Sequence, residues 1–153
     1  MKIALSADHR GAGAARQLAD RLRSSGHEVE VMGNLTGDST DYPIQAYLVG
    51  RSVTEGRSHR GVLVCGTGLG RFIAANKVKG VRAALAHDEL TAQISRTHND
   101  ANVMCLSADL LGQRLIEKMV EVWVGTEFSG GRHARRLKEI EAIEEGRDPA
   151  KAE

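Results

Sequence analysis

Gly61-Val62-Leu63-Val64-Cys65-Gly66-Thr67-Gly68-Leu69-Gly70 decides the fold. Its first half is a near-continuous apolar run, the pattern of a strand buried on both faces of a parallel sheet. Three glycines within five positions, Gly66, Gly68 and Gly70, then turn the chain, and the following segment continues as a helix through Lys77. A buried strand that passes through a glycine turn into a helix is the repeating step of an α/β fold.

The same step recurs outward from this segment. Upstream, Lys2 to Ala7 reads as a buried strand. Gly11 to Ser25 carries Ala14, Ala15, Leu18, Ala19 and Leu22 at helical spacing and stops at Gly26. His27 to Met32 reads as a second strand, Gly33 to Tyr42 as a polar loop, and Pro43 opens a helix reaching about Glu55. Downstream come a strand over Val81–Ala86, a helix over Asp88–His98, a strand over Asn102–Leu106, a helix over Asp109–Trp123 and a last helix from Arg132 to Gly146. Short connections between alternating elements predict a three-layer α/β/α, Rossmann-like, doubly wound sheet of about five parallel strands. With no internal repeat and no linker, residues 1–146 read as a single domain and 147–153 as a charged, frayed tail.

Composition narrows the function. The 153 residues carry a formal net charge of +1, and aromatic residues make up 3% of the chain. Neither a basic field nor stacking platforms favour nucleic acid as a partner. No apolar run approaches membrane-spanning length, and the first apolar stretch soon meets Asp8, His9 and Arg10, unlike a signal peptide. A cytoplasmic location with both cysteines, Cys65 and Cys105, as free thiols is the expectation.

In an open parallel sheet, ligands bind beyond the carboxyl ends of the strands, so residues that directly follow strands matter most. Cys65 sits at such a junction. The glycine turn lets backbone N–H groups converge into a nest for negative charge, and the helix end adds its positive pole. A thiol there is expected to have a lowered pKa and to serve as base or nucleophile, with the nest holding an oxyanion. The competing reading is a packing turn with Cys65 as a small core residue. A dinucleotide site is disfavoured, because the glycine spacing is G-x-G-x-G on an internal strand. Asp8-His9 follows the first strand, where Asp8 also suits a helix cap. His98-Asn99 closes a helix, a place where such residues often only cap. Arg132 and Arg136 share one helix face at i, i+4 spacing, and Arg136 lies along the Ile140 and Ile143 stripe, expected to face protein. Arg135 has Glu139 as a partner, whereas Arg132 has none, so a phosphate clamp competes with a solvated basic face. Cys105 reads as an inert core thiol, and no metal-ligand spacing such as CxxC or HExxH is present.

Six motifs occur together and in order: Asp8-His9-Arg10-Gly11, Thr40-Asp41-Tyr42-Pro43, Cys65 to Gly70, Ile73-Ala74-Ala75-Asn76-Lys77, His98-Asn99-Asp100-Ala101-Asn102-Val103 and Gly130-Gly131-Arg132-His133. On these the chain resembles the ribose-5-phosphate isomerase B and galactose-6-phosphate isomerase family over roughly residues 1 to 145. The resemblance implies an aldose–ketose isomerisation through a cis-enediolate, without metal or organic cofactor, on a small sugar phosphate. It implies Cys65 as the base between C1 and C2, His98 as the ring-opening residue, and Thr67 as a third catalytic residue. Gly66, Gly68 and Gly70 become the enediolate nest, Asp8 and Asn99 ligands of substrate hydroxyls, and His9, Arg132 and Arg136 ligands of the phosphate. It further implies a homodimer, or dimers paired into tetramers, with His98 and the arginines lent across the interface. Ser107 and Asp109 stand where relatives usually carry Gly and a phosphate-binding Arg, and Arg71 where some carry a catalytic Glu. An acid near a phosphate is unfavourable, so a four- or six-carbon substrate competes with ribose 5-phosphate. A non-catalytic sugar-phosphate binder is the reading from another class, and a binder needs neither Cys65 nor His98.

Overall fold

The computed structural model describes residues 1–152. Five parallel strands, β1 (Lys2–Ala7), β2 (Glu28–Val31), β3 (Arg60–Cys65), β4 (Ala83–Leu85) and β5 (Val103–Ser107), form one sheet in the order β2-β1-β3-β5-β4. Between and after them run α1 (Ala12–Ser24), α2 (Tyr42–Thr54), α3 (Leu69–Ala75), α4 (Glu89–Thr97), α5 (Gln113–Gly125) and α6 (Arg132–Glu144). This is the three-layer doubly wound architecture that the alternation predicts.

The two cores follow from the period of two along a strand. Leu5, Val62, Val64 and Met104 face the layer of α1, α4 and α5, where Leu18, Met119 and Trp123 cover them. The alternate residues Ala4, Leu63, Val103 and Cys105 face α2 and α3, against Val49 and Ala75. Full burial of a large apolar side chain stabilises by about 1.5–3 kcal/mol, so the central strands β1, β3 and β5, apolar on both faces, anchor the sheet. The edge strands are shorter and only partly buried.

Strand order reverses between β1 and β3, because the chain leaves β1 toward β2 and returns past it to β3. A crevice opens at such a switch point. The register pairs Ala7 with Val64 and Cys65 with Ser107, so Asp8, Cys65 and the loop after β5 end at the same rim.

Three local readings change. β4 is three residues long, because Val81 turns into the α2–α3 core before the strand begins. The segment after β5 stays in turns until Gly112, since the Ser107 hydroxyl accepts the Leu110 N–H, and α5 starts at Gln113. On α6, Ile140 and Ile143 are 45% and 62% exposed, so the stripe that Arg136 shares faces solvent in the single chain. Ala142 and His133 carry the helix's buried side instead. Beyond α6 the Arg147 N–H donates to the Ala142 carbonyl, and Pro149–Lys151 form a 3₁₀ turn capped by Asp148. No helix among the described residues is long and apolar enough to cross a membrane.

Candidate active site

The glycine turn after β3 is built by crowding as much as by flexibility. Gly68 has φ of +81°, where side chains are strained, and a Cβ there would sit 2.4 Å from Leu85 Cδ1. A Cβ on Gly70 would meet the Tyr42 ring at 2.8 Å. The β5 loop pins the other end: Ser107 Oγ donates to the Gly66 carbonyl at 2.6 Å, and Ala108 N–H to the Cys65 carbonyl at 2.8 Å. Ser107, a departure from the family pattern, therefore acts as a clasp on the nest.

Cys65 is 5% exposed, and its Sγ accepts the Gly68 N–H at 3.1 Å. It is not sealed in the interior. With Asp8, Thr67 and Gly70 it lines a cleft of about 220 Å³, whose remaining walls include Gly66, Tyr42, Arg10 and Asp109. Thr67 is exposed there, while His9 is exposed beside the cleft and outside its lining. Asp8 also caps, because its Oδ1 accepts the N–H groups of Arg10 and Gly11, each at 2.9 Å. The expected lowering of the Cys65 pKa is not what the free chain shows. Burial pushes the thiol up, and the Gly68 N–H, the Arg71 N–H and the Arg71 charge pull it down by less. Burial is the leading cause, and α3, only seven residues long, is a short helix with a weak positive pole to oppose it. Cys105 is fully buried and its thiol is pushed well up by burial, in keeping with a core role.

Asp109, the expected intruder near a phosphate, does not stand alone. Arg10 forks onto it, Nη2 to Oδ2 at 2.6 Å and Nε to Oδ1 at 3.2 Å. The pair lies over Gly66, where an added Cβ would meet Asp109 Oδ2 at 2.7 Å and Arg10 at 3.0 Å.

The other expected residues gather elsewhere. His98 caps α4, and its ring stacks on that of His133, centroids 4.1 Å apart and 8° from parallel. The Ser129 N–H donates to the Thr97 carbonyl at 3.1 Å, which ties the start of α6 to the end of α4. Burial, then His98, Arg132 and Arg136 hold the His133 pKa below its ordinary value. Arg135 reaches Glu139 at 3.7 Å, as its spacing predicts, whereas Arg132 and Arg136 make no ion pair among the described residues. Asn99 is exposed in the same turn, which is braced from below. Arg82 donates to the Asn99 and Asp100 carbonyls, and Arg96 pairs with the Asp100 carboxylate at 2.7 Å, holding Asp100 at φ of +44°.

One chain does not bring these two groups together. The His98 turn precedes the start of β5, and Cys65 lies beside its end at Ser107. Four strand steps of about 3.3 Å separate the ends by about 13 Å along the sheet. A larger groove of about 450 Å³ runs along the free edge of β4 past Asn99, Ile140 and Ile143, and Cys65 does not border it. The thiol, the glycine turn and the strand tips all lie at the smaller cleft.

Sequence reasoning left Tyr42, Arg10 and His133 without a role. All three lay in the quoted motifs, but their contacts depend on tertiary packing. No cluster of histidine, cysteine and acidic side chains suited to a metal ion occurs among the described residues.

The ribose/galactose isomerase profile matches residues 3–140. Ribose-5-phosphate isomerase B of Escherichia coli is 40% identical over 147 residues, covering 96% of this chain and 99% of that one. A D-erythrulose-4-phosphate isomerase of Pectobacterium atrosepticum is 36% identical over 141 residues, covering 92% and 93%. The Clostridium thermocellum ribose-5-phosphate isomerase B structure superposes with a TM-score of 0.94 at 43% identity, over 95% of this chain and 99% of that one. With the strand-tip thiol, the glycine nest and this full-length likeness in hand, the chain belongs to the ribose/galactose isomerase family and is an aldose–ketose isomerase.

Proposed function

We propose that the chain interconverts an aldose phosphate and its ketose, by default ribose 5-phosphate and ribulose 5-phosphate, with Cys65 as the proton-transferring base. The observation that carries the reading is the cleft at the β1/β3 switch point, where Cys65, Asp8 and the glycine nest share one rim. A thiolate accepts the C2 proton of the open aldose and becomes a thiol, leaving an enediolate. The same thiol returns the proton to C1, while the hydroxyl proton passes from O2 to O1 with Thr67 at hand. A thiolate suits so weak a carbon acid only where the enediolate is stabilised, the task given to the N–H groups of Gly66, Gly68 and Gly70. Asp8 orients the sugar hydroxyls. No cofactor enters this scheme.

The site is completed by a second copy. Arg132, Arg136, His98 and Asn99 lie at the far end of the sheet from their own Cys65, so they serve the cleft of a twofold-related chain. Ile44, Tyr47 and Leu48 of α2 with Leu69 and Ile73 of α3 form an exposed apolar face beside the cleft, suited to that copy. In this arrangement Arg132, Arg136 and His9 hold the phosphate, and His98 opens the ring. A cytoplasmic setting fits two unpaired thiols.

A four-carbon substrate is the second reading. The Arg10–Asp109 fork over Gly66 narrows the phosphate side of the cleft, and relatives such as the Pectobacterium atrosepticum protein are D-erythrulose-4-phosphate isomerases. A spectrophotometric screen of four- to six-carbon aldose and ketose phosphates decides between them. Turnover is expected on the four- or five-carbon pair, with solvent deuterium entering at C2 of the aldose. Absence of turnover on every sugar phosphate contradicts the proposal.

A further inference from the structure

Arg71 is the largest polar anomaly of the interior. It sits in the first turn of α3, is fully buried, and lies on the α2–α3 side of the sheet. Its Nη1 donates to Ser6 Oγ at 3.1 Å, while Nε and Nη2 are buried without a partner. No carboxylate forms an ion pair with it among the described residues. The nearest acid acting on it is Asp8, whose Oδ1 is committed to the N–H groups of Arg10 and Gly11. A guanidinium stays protonated even here, so the chain keeps an uncompensated cation under its active cleft, a costly arrangement. Such a charge calls for an anion, and the groups it acts on after Asp8 are the thiols of Cys65 and Cys105. Cys105 is fully buried, whereas Cys65 borders the cleft.

We propose that Arg71 is a positioning residue for the isomerisation, a buried counter-cation that favours ionisation of Cys65 from the α2–α3 side of the sheet. This deepens the reading of Cys65 as the base and rests on it. The geometry brings both groups to one face: the Gly68 N–H meets Sγ at 3.1 Å from the turn, and the guanidinium is anchored to Ser6 of β1, which pairs in the sheet with Leu63, two residues before Cys65 on the same α2–α3 side. Placing the cation on the protein side keeps it from neutralising the enediolate or competing for the phosphate. Its charge acts against the effects that oppose ionisation of Cys65, burial first and then the Asp8 carboxylate, without outweighing burial. The other groups around the thiol are weak or already paired. Cys105 on β5 is fully buried, Tyr42 from α2 lines the cleft, and Arg10 and Asp109 form an ion pair there.

The test is the pH dependence of Cys65 alkylation by iodoacetamide, located by mass spectrometry, in the wild type and in Arg71→Met, Arg71→Gln and Arg71→Lys. Loss of the charge should raise the alkylation midpoint by about one pH unit or more, which slows alkylation at pH 8 about tenfold. Arg71→Lys should restore much of the difference. Arg71→Gln can keep the Ser6 hydrogen bond and gives the same reading if Arg71→Met does not fold. Unchanged midpoints in a folded, charge-free variant overturn the proposal. If Cys65→Ala then still abolishes turnover, Cys65 stands as the base without Arg71. If Cys65→Ala turns over normally, the base assignment itself fails, whatever the alkylation shows.

Discussion

The two halves of the candidate site are built in opposite ways. Around Cys65 almost every polar group is committed: Gly68 N–H to the sulfur, Ser107 Oγ to the Gly66 carbonyl, Asp8 to two backbone N–H groups, and Arg10 to Asp109. Around His98 the backbone is braced by Arg82 and Arg96, but the side chains face outward. Arg132 and Arg136 make no ion pair among the described residues, and Asn99 and His98 are exposed. A preorganised nest fits the half that stabilises charge developing in the transition state. Under the proposed function, unpartnered arginines lent across a twofold interface suit a dianion. The contrast teaches where reaction and recognition are divided.

The largest expected effect attacks the committed half. Cys65→Ala should lower kcat by about 10²–10⁴-fold, the range for losing a general base, with substrate affinity within a few-fold. Unchanged turnover removes the base. The free half should fail differently. Arg132→Ala combined with Arg136→Ala should raise KM for the phosphorylated sugar by about 10- to 100-fold, as lost charge-assisted hydrogen bonds do, and leave the unphosphorylated sugar nearly unaffected. Equal losses on both substrates dismiss the clamp.

The pH profile separates the halves further. A base must be deprotonated, and burial raises the Cys65 pKa, so kcat/KM should climb with pH, about tenfold per unit below a midpoint above the ordinary thiol range. A controlling midpoint in the histidine range points to another base. The smallest effect concerns the border between the halves. Asp109→Arg, which breaks the fork with Arg10, should shift the preference between four- and five-carbon phosphates by about three- to tenfold, the scale of a partly exposed charge interaction. An unchanged ranking makes Asp109 incidental to specificity.

Much of the fold was legible because β3 and β5 are apolar along most of their length and because glycine follows β3 directly. Periodicity and turn chemistry are local properties, and they place Cys65 and the nest without knowledge of the rest. The thiol's protonation was not legible, since it depends on burial by α2 and α3 and on an arginine whose side chain turns inward. Arg71 next to a glycine turn reads as a surface residue until the packing shows Ser6 beneath it. Likewise the stripe of Arg136, Ile140 and Ile143 announces an apolar face, but only the fold shows that its own chain leaves that face open. The Asp109 departure looked like a repulsion in isolation and became a salt bridge once β1 and β5 met at the rim.

Complementation between two impaired variants, assayed with substrate well below the wild-type KM, tests most directly the claim that one site is assembled from two chains. Cys65→Ala is mixed in equal amounts with the Arg132→Ala, Arg136→Ala double variant, and the dimers are dissociated and reassembled. In a twofold dimer with shared sites each hybrid carries one intact site, so about a quarter of wild-type activity should return. If activity stays at the sum of the two parents, each chain works alone, and the division of labour across the sheet is contradicted.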